Sequence, residues 1–220
     1  MSTRVIIPAA GEASRWKNHL GVPKHMIPID GEPLLERMVR QLLERGIKDI
    51  VIVGPPDDER YNIAGSHLYV PTRPREWGDA SKFMNSARLW NPRGRTIIMY
   101  GDVCFTEEAM DTIVDSKEKD WILFARFEPP GECFAISFYG DTMIEGYQGL
   151  VRIYEWWVDG TLNRNGGWEW YRTMVGVPKM YMRRQLQVAE RSYEINDLTD
   201  DFDFPGEYDR WIKEWNKQRL

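Results

Sequence analysis

The strongest constraint on this chain lies at its start, where Val5-Ile6-Ile7 forms an apolar run without polar alternation and Pro8-Ala9-Ala10-Gly11 breaks it at once. An unalternating run this short suits a strand buried on both faces, as in a parallel sheet. The small residues beyond it form a loop whose backbone N–H groups can lie against an anion. Arg15 and Lys24 follow within the same stretch and add two cations. A guanidinium forks onto phosphate oxygens and an ammonium acts as a point charge, so the combination suits a polyphosphate.

Residues 33–45 carry Leu34, Leu35, Met38, Val39, Leu42 and Leu43 at helical spacing, with Pro33 early and Gly46 just past the end. That pattern predicts an amphipathic helix. Residues 47–53 read as a second strand, and strand, helix and strand at this spacing make a right-handed βαβ unit. Beyond a polar stretch with a weak strand at 67–70, Gly78-Asp79-Ala80 opens a second helix with Phe83, Met84, Ala87 and Leu89 as its apolar positions and Asp79 as a possible cap. Residues 96–105 form an apolar strand ending in Gly101-Asp102. Ligands of open α/β sheets sit beyond the carboxyl ends of the strands, where Gly101 lets a ligand approach and Asp102 offers hard oxygens to Mg²⁺.

Three segments in order, Ala9-Ala10-Gly11-Glu12-Ala13-Ser14-Arg15, Pro23-Lys24 and Gly31-Glu32-Pro33-Leu34-Leu35, resemble the nucleotidyltransferase superfamily of sugar-phosphate and MobA-like NTP transferases. That superfamily carries A-A-G-x-G-[ST]-R, then P-K, then G-x-P-L-L. Ala13 stands where a second glycine is usual, and alanine in a left-handed conformation costs about 1 kcal/mol. The resemblance implies a three-layer α/β/α, glycosyltransferase-A-like fold with a mostly parallel mixed sheet. It implies that residues 9–15 and Lys24 hold the NTP phosphates, that Gly78-Asp79-Ala80 touches base and ribose, and that Asp102 binds Mg²⁺ or Mn²⁺. Arg15, Lys24 and Asp102 become the catalytic candidates, both cations facing solvent until phosphate arrives.

The late stretch 193–210 resembles the superfamily segment whose acid gives a second metal contact before a closing helix. Asp201 and Asp203 are its candidates, with Asn196-Asp197 a third. Phe204 stands where a capping Thr is usual, so Asp203 has the alternative role of capping the helix. That helix, 206–217, places Tyr208, Trp211, Ile212 and Trp215 on one face, predicted to dock on the sheet. Between the two regions of resemblance, residues 121–127, 133–139, 149–157 and 174–178 read as strands and 179–190 as a helix. Trp168, Trp170 and Tyr171 read as packing residues.

Length and charge bound the remainder. A chain of 220 residues suits one domain, with a nucleotide half at 1–115 and an acceptor half with the closing helix at 116–220. The net charge of −5 and the lack of a basic cluster argue against strong duplex nucleic-acid binding. Two cysteines, Cys104 and Cys133, make neither a disulfide framework nor a metal cage, which points to the cytoplasm, and no window suits a membrane span. The expected partners are an NTP and a small phosphorylated acceptor, the chain acting as monomer or homodimer. The competing functions are a glycosyltransferase using a nucleotide sugar, for which the usual Asp-x-Asp is missing, and a non-catalytic nucleotide-binding module, for which Ala13 and Phe204 would be degraded positions.

Overall fold

The computed structural model describes residues 2–11, 14–72, 78–128, 131–182 and 190–218. The elements run β1 (Thr3–Pro8), β2 (Pro28–Ile29), β3 (Glu32–Pro33), α1 (Leu34–Glu44), β4 (Asp49–Val53), β5 (His67–Tyr69), α2 (Ser81–Met84), β6 (Arg95–Met99), β7 (Val103–Cys104), α3 (Glu107–Asp115), β8 (Ile122–Arg126), β9 (Glu132–Tyr139), α4 (Met143–Val158), α5 (Gly167–Met174), β10 (Ser192–Glu194), β11 (Asp200–Asp201) and α6 (Pro205–Lys217).

Seven strands form the main sheet in the order β10-β8-β9-β6-β1-β4-β5. All its pairings are parallel except those of β9, which runs antiparallel to β6 and β8. This is the mixed, mostly parallel α/β sheet that the resemblance implies. Strands from both halves of the sequence share it. Val5, Ile6 and Ile7 of the central β1 are fully buried, which is why that run shows no polar alternation. Leu35, Met38, Val39 and Leu42 of α1 join the same core. No helix among the described residues is long and apolar enough to cross a membrane.

Buried polar groups mark where the elements are pinned. Arg95 donates through Nε to Ser137 Oγ (2.7 Å) and through its two terminal nitrogens to the carbonyls of Val114 and Ile113, so β6 supplies a cation to the C-terminal end of α3. At the other end Thr106 Oγ1 caps α3 by accepting from the Ala109 N–H at 3.0 Å.

Three expectations fail in the second half of the chain and around residue 80. Residues 149–157 belong to helix α4, not a strand. Its buried positions, Gly146, Gly149, Leu150 and Ile153, follow helical spacing, and the two glycines let it approach Trp170, whose Nε1 donates to the Gly146 carbonyl at 3.0 Å. Residues 174–178 are the end of α5 and a left-handed turn at Gly176, because α5 has already delivered Trp170 and Tyr171 to the core. The helix expected from Gly78 is broken into short turns: α2 spans four residues, flanked by 3-10 turns at Gly78–Ala80 and Ala87–Leu89. A short turn at Lys179–Tyr181 begins the helix expected over 179–190, of which 183–189 lie outside the described residues.

The closing helix α6 forms where expected but docks elsewhere than on the main sheet. Trp211 joins Trp16, Ile27, Ile29, Leu34, Cys104 and Phe202 in a second core, with Tyr208, Ile212 and Trp215 packed against it. This core lies over the β2–β3 hairpin and the two-stranded β7–β11 ladder.

Candidate active site

The carboxyl ends of β1, β4 and β6 open into a cleft of about 500 Å³ lined by Pro8, Val53 and Tyr100 at those ends. The loop after β1 gives it Ala10, Gly11, Ser14 and Arg15, and the turn before α2 gives it Gly78 and Asp79. Two residues of the expected nucleotide set face away. The Ala9 N–H donates to the Val53 carbonyl at 2.7 Å, and buried Ala80 donates to Asn165 Oδ1 at 3.3 Å. Among the described residues Asp79 caps no helix, since the residue before α2 is Ala80 in helical conformation. Glu12 and Ala13 lie outside the described residues. Gly101 serves the sheet, not a ligand: a Cβ there would come 2.9 Å from the Pro8 carbonyl, to which the Gly101 N–H donates at 3.2 Å.

The centre of the cleft is an ion-pair cluster. Lys24 sits in a 3-10 turn after Pro23, with only 8% of its surface exposed. Its ammonium pairs with Asp102 and, at 3.1 Å, with Asp203 Oδ1. Arg15 Nη2 pairs with Asp203 Oδ2 at 2.5 Å while half of its side chain stays exposed. Lys24 is therefore drawn inward, contrary to the expectation that it faces solvent, because two carboxylates offset the cost of burying its charge.

Pairing of β11 with β7 builds the acidic side. Asp201 lies opposite Val103, next to Asp102, although the two acids are far apart in sequence. One carboxylate oxygen each from Asp102, Asp201 and Asp203 lies within 4.8 Å of the others. Asp203 is not a helix cap: the N-cap position of α6 falls to Phe204, whose own N–H donates to Glu207 Oε2 at 2.8 Å. Asp197 stands apart, accepting from the Thr106 hydroxyl and the Thr199 N–H at the start of α3.

Electrostatics divides the three acids. Desolvation favours a neutral Asp102, but Lys24 overrides it and holds the carboxyl below the usual range. Lys24 in turn loses stabilising water, yet Asp102 and Asp203 keep its pKa above the ordinary lysine value. Among the described residues Asp201 has no paired cation, and the Lys24 charge lowers it least of the effects acting on it. Desolvation, then Asp102, Glu132 and Asp203, push it up to about 9. An all-oxygen set with one acid this poorly compensated fits a hard divalent cation.

Several residues on the cleft wall had no motif to announce them. Glu132, at the first position of β9, has its carboxyl pushed up to about 7 by desolvation and by Asp200 and Asp203. Lys82 of α2 lies with Nζ 4.5 Å from the Tyr100 ring centroid. Arg164 enters from the loop before α5. His25 is buried beside Lys24, with Nδ1 3.0 Å from the Tyr61 hydroxyl, and desolvation lowers its pKa to about 4, so it is neutral. A buried histidine directly after the Pro23-Lys24 pair was visible as a residue, but nothing in its spacing marked it. Trp170 and Tyr171 are core residues; Trp168 packs on Phe127 and donates to the Gly131 carbonyl.

Residues 5–153 match the family described as MobA-like NTP transferase domain. A 2-C-methyl-D-erythritol 4-phosphate cytidylyltransferase of Saccharopolyspora erythraea is 44% identical over 59 residues, 27% of this chain and 25% of that enzyme's length. The chain thus spans about a quarter of that relative. Among solved structures, the inositol-1-phosphate CTP transferase of T. maritima superposes with a TM-score of 0.63 at 14% identity, covering 97% of this chain and 95% of that one. The CTP:phosphocholine cytidylyltransferase of Streptococcus pneumoniae gives a TM-score of 0.58 at 16% identity over 98% and 100%. At these identities the likeness is one of fold.

Proposed function

Because the chain belongs to the MobA-like NTP transferase domain family, we propose that it is a Mg²⁺-dependent nucleotidyltransferase. It moves a nucleoside monophosphate from an NTP to a phosphorylated acceptor, most simply a sugar 1-phosphate, and releases pyrophosphate. The observation that carries this reading is the Lys24 ammonium held between Asp102 and Asp203, with Arg15 on the far oxygen of Asp203. Cations and acids so arranged suit a reaction that gathers two anions and expels a third.

In the reaction an acceptor phosphate oxygen attacks the α-phosphorus. A P–O bond forms there as the bond to the β-phosphate oxygen breaks, and pyrophosphate leaves with the electron pair. Positioning and charge neutralisation dominate such transfers. The loop at Ala10, Gly11 and Ser14, with Arg15, receives the β- and γ-phosphates. Lys24 exchanges a carboxylate for an α-phosphate oxygen and neutralises the charge that grows there. Asp102, Asp201 and Asp203 would hold the Mg²⁺, which when bound supplies further neutralisation at the α-phosphate. The acceptor phosphate is already an anion near neutral pH, so no protein base is needed.

Gly78 and Asp79 border the base and ribose in this reading. Residues 1–115 form the nucleotide half and 116–220 the acceptor half of one domain working in the cytoplasm. The test is pyrophosphate release from each of the common NTPs, with glucose 1-phosphate, inositol 1-phosphate and phosphocholine as acceptors and Mg²⁺ present. Release with at least one pair is expected, and no release from any pair overturns the reading.

A further inference from the structure

Among the described residues the cleft is lined by four cationic side chains, and they fall into two groups. Arg15 and Lys24 are engaged by Asp102 and Asp203. Lys82 and Arg164 line the same cleft, and among the described residues no carboxylate lies within ion-pair distance of either. In a chain of net charge −5, two cations in a concave site with no acid partner among the described residues call for an anion.

Lys82 is held in place without an acid. Its Nζ lies 4.5 Å from the centroid of Tyr100 and 5.6 Å from that of Phe83, both buried rings. A cation seated on aromatic faces keeps its three donors free for a ligand while losing little entropy on binding. Tyr100 is two residues from Asp102, so this seat adjoins the reacting centre, and Lys82 contributes to the lowering of Asp102. Arg164 is carried to the same wall by its neighbour: Asn165 is fully buried and takes the Ala80 N–H, two residues from Lys82.

We propose that Lys82 and Arg164 form the seat of the acceptor's phosphate and select the phosphomonoester of an uncharged polyol over that of an amino alcohol. This rests on the transfer reading above, in which the NTP phosphates already occupy Arg15, Lys24 and the first loop. The second anion left to bind is then the acceptor's. The same seat disfavours a quaternary ammonium, because Lys82 already occupies the Tyr100 ring that would cradle it and two further positive charges repel it. Glu132, on the cleft wall and without a side-chain hydrogen-bond partner among the described residues, suits an acceptor hydroxyl group.

The experiment has two arms, on the wild type and on Lys82→Ala, Lys82→Arg and Arg164→Ala, with melting temperatures checked first. In the first arm glucose 1-phosphate, inositol 1-phosphate and phosphocholine are titrated calorimetrically into the protein without NTP. A polyol phosphate is expected to bind the wild type more tightly than phosphocholine does, and to lose about tenfold or more in affinity in each alanine variant, the worth of a charge-assisted contact. Lys82→Arg should retain most of it. In the second arm the alanine variants should raise the acceptor KM by a similar factor and leave the NTP KM nearly unchanged. Unchanged polyol-phosphate affinity in both alanine variants, phosphocholine binding at least as tight as either polyol phosphate, or a rise in NTP KM in place of acceptor KM each overturns the proposal. Polyol phosphates that bind through Lys82 and Arg164 without any pyrophosphate release would uphold the seat and sink the transfer reading. Release with acceptor KM untouched by the variants would do the opposite.

Discussion

The guanidinium of Arg15 lies 5.3 Å from the centroid of the Phe204 ring while Nη2 pairs with Asp203. The position where the resembled superfamily usually has a capping Thr is therefore used differently: Phe204 holds the Arg15 cation, which we propose meets the NTP phosphates. An exposed contact of this kind is worth about 0.5–1 kcal/mol. Phe204→Leu, which keeps bulk but loses the ring, should raise the NTP KM about two- to fivefold, with kcat and melting temperature nearly unchanged. An NTP KM equal to wild type would show that the ring does not position Arg15.

Lys24 carries the largest single effect we expect. Lys24→Met leaves Asp102 and Asp203 facing each other and Asp201 without the buried ammonium, so the variant should melt lower than wild type in chelator. Added Mg²⁺ should restore much of that stability by binding the native acids. Turnover should stay depressed by about 10²-fold or more, since a charge used in the transition state is missing. Thermal melts with and without Mg²⁺, set beside kcat, separate the two losses.

The three acids should behave unequally. Chelator should abolish turnover, and Asp102→Asn should do the same at any Mg²⁺ concentration tested. Asp203→Ser should be as inactive as Asp203→Ala, because Asp203 anchors both Lys24 and Arg15 and serves no cap. Asp201→Asn should raise the Mg²⁺ needed for half-maximal rate yet increase the metal-free melting temperature, because it removes a carboxyl disfavoured by burial and by like charges. A metal-free Asp201→Asn that melts below wild type would contradict that electrostatic account.

His25 makes acid stability readable. Burial lowers its pKa from 6.5 to about 4, so the folded state binds this proton less tightly than the unfolded chain does. Its contribution is fully present above pH 6.5 and is lost as the pH falls towards 4, about 3 kcal/mol across that window. His25→Gln should show a flatter decline than wild type between those limits in urea denaturation. Parallel pH profiles for the two proteins would assign the acid loss to other groups.

The first half of the chain was legible because local pattern and tertiary role agree there. The apolar run at 5–7, the helical stripe of α1 and the strand ending at Gly101-Asp102 each follow the period of the element they form, and the ordered loop motifs fixed their succession. Residues 149–157 misled because Val151, Ile153, Tyr154, Trp156 and Trp157 have strand-like composition. The decisive signal was Gly146 and Gly149, which the packing of Trp121, Trp170 and Met174 against α4 explains. Asp201 was legible as an acid but not as a neighbour of Asp102, since a two-residue ladder joins them across the length of the chain. Lys82 and Arg164 reach the cleft through the hydrogen bond between Ala80 and Asn165, which no local spacing encodes.

That two-residue ladder has a consequence during synthesis. Two of the three clustered acids lie in the last part of the chain, beyond the residues matched by the family, and are held by β11 and α6. Every strand of the main sheet precedes them. Synthesis from the N-terminus therefore delivers all seven strands of the main sheet and the loop after β1 before most of the acidic cluster exists. A chain cut just before residue 200 would thus carry every strand of the main sheet yet lack Asp201, Asp203 and the Phe202 and Trp211 side chains of the second core.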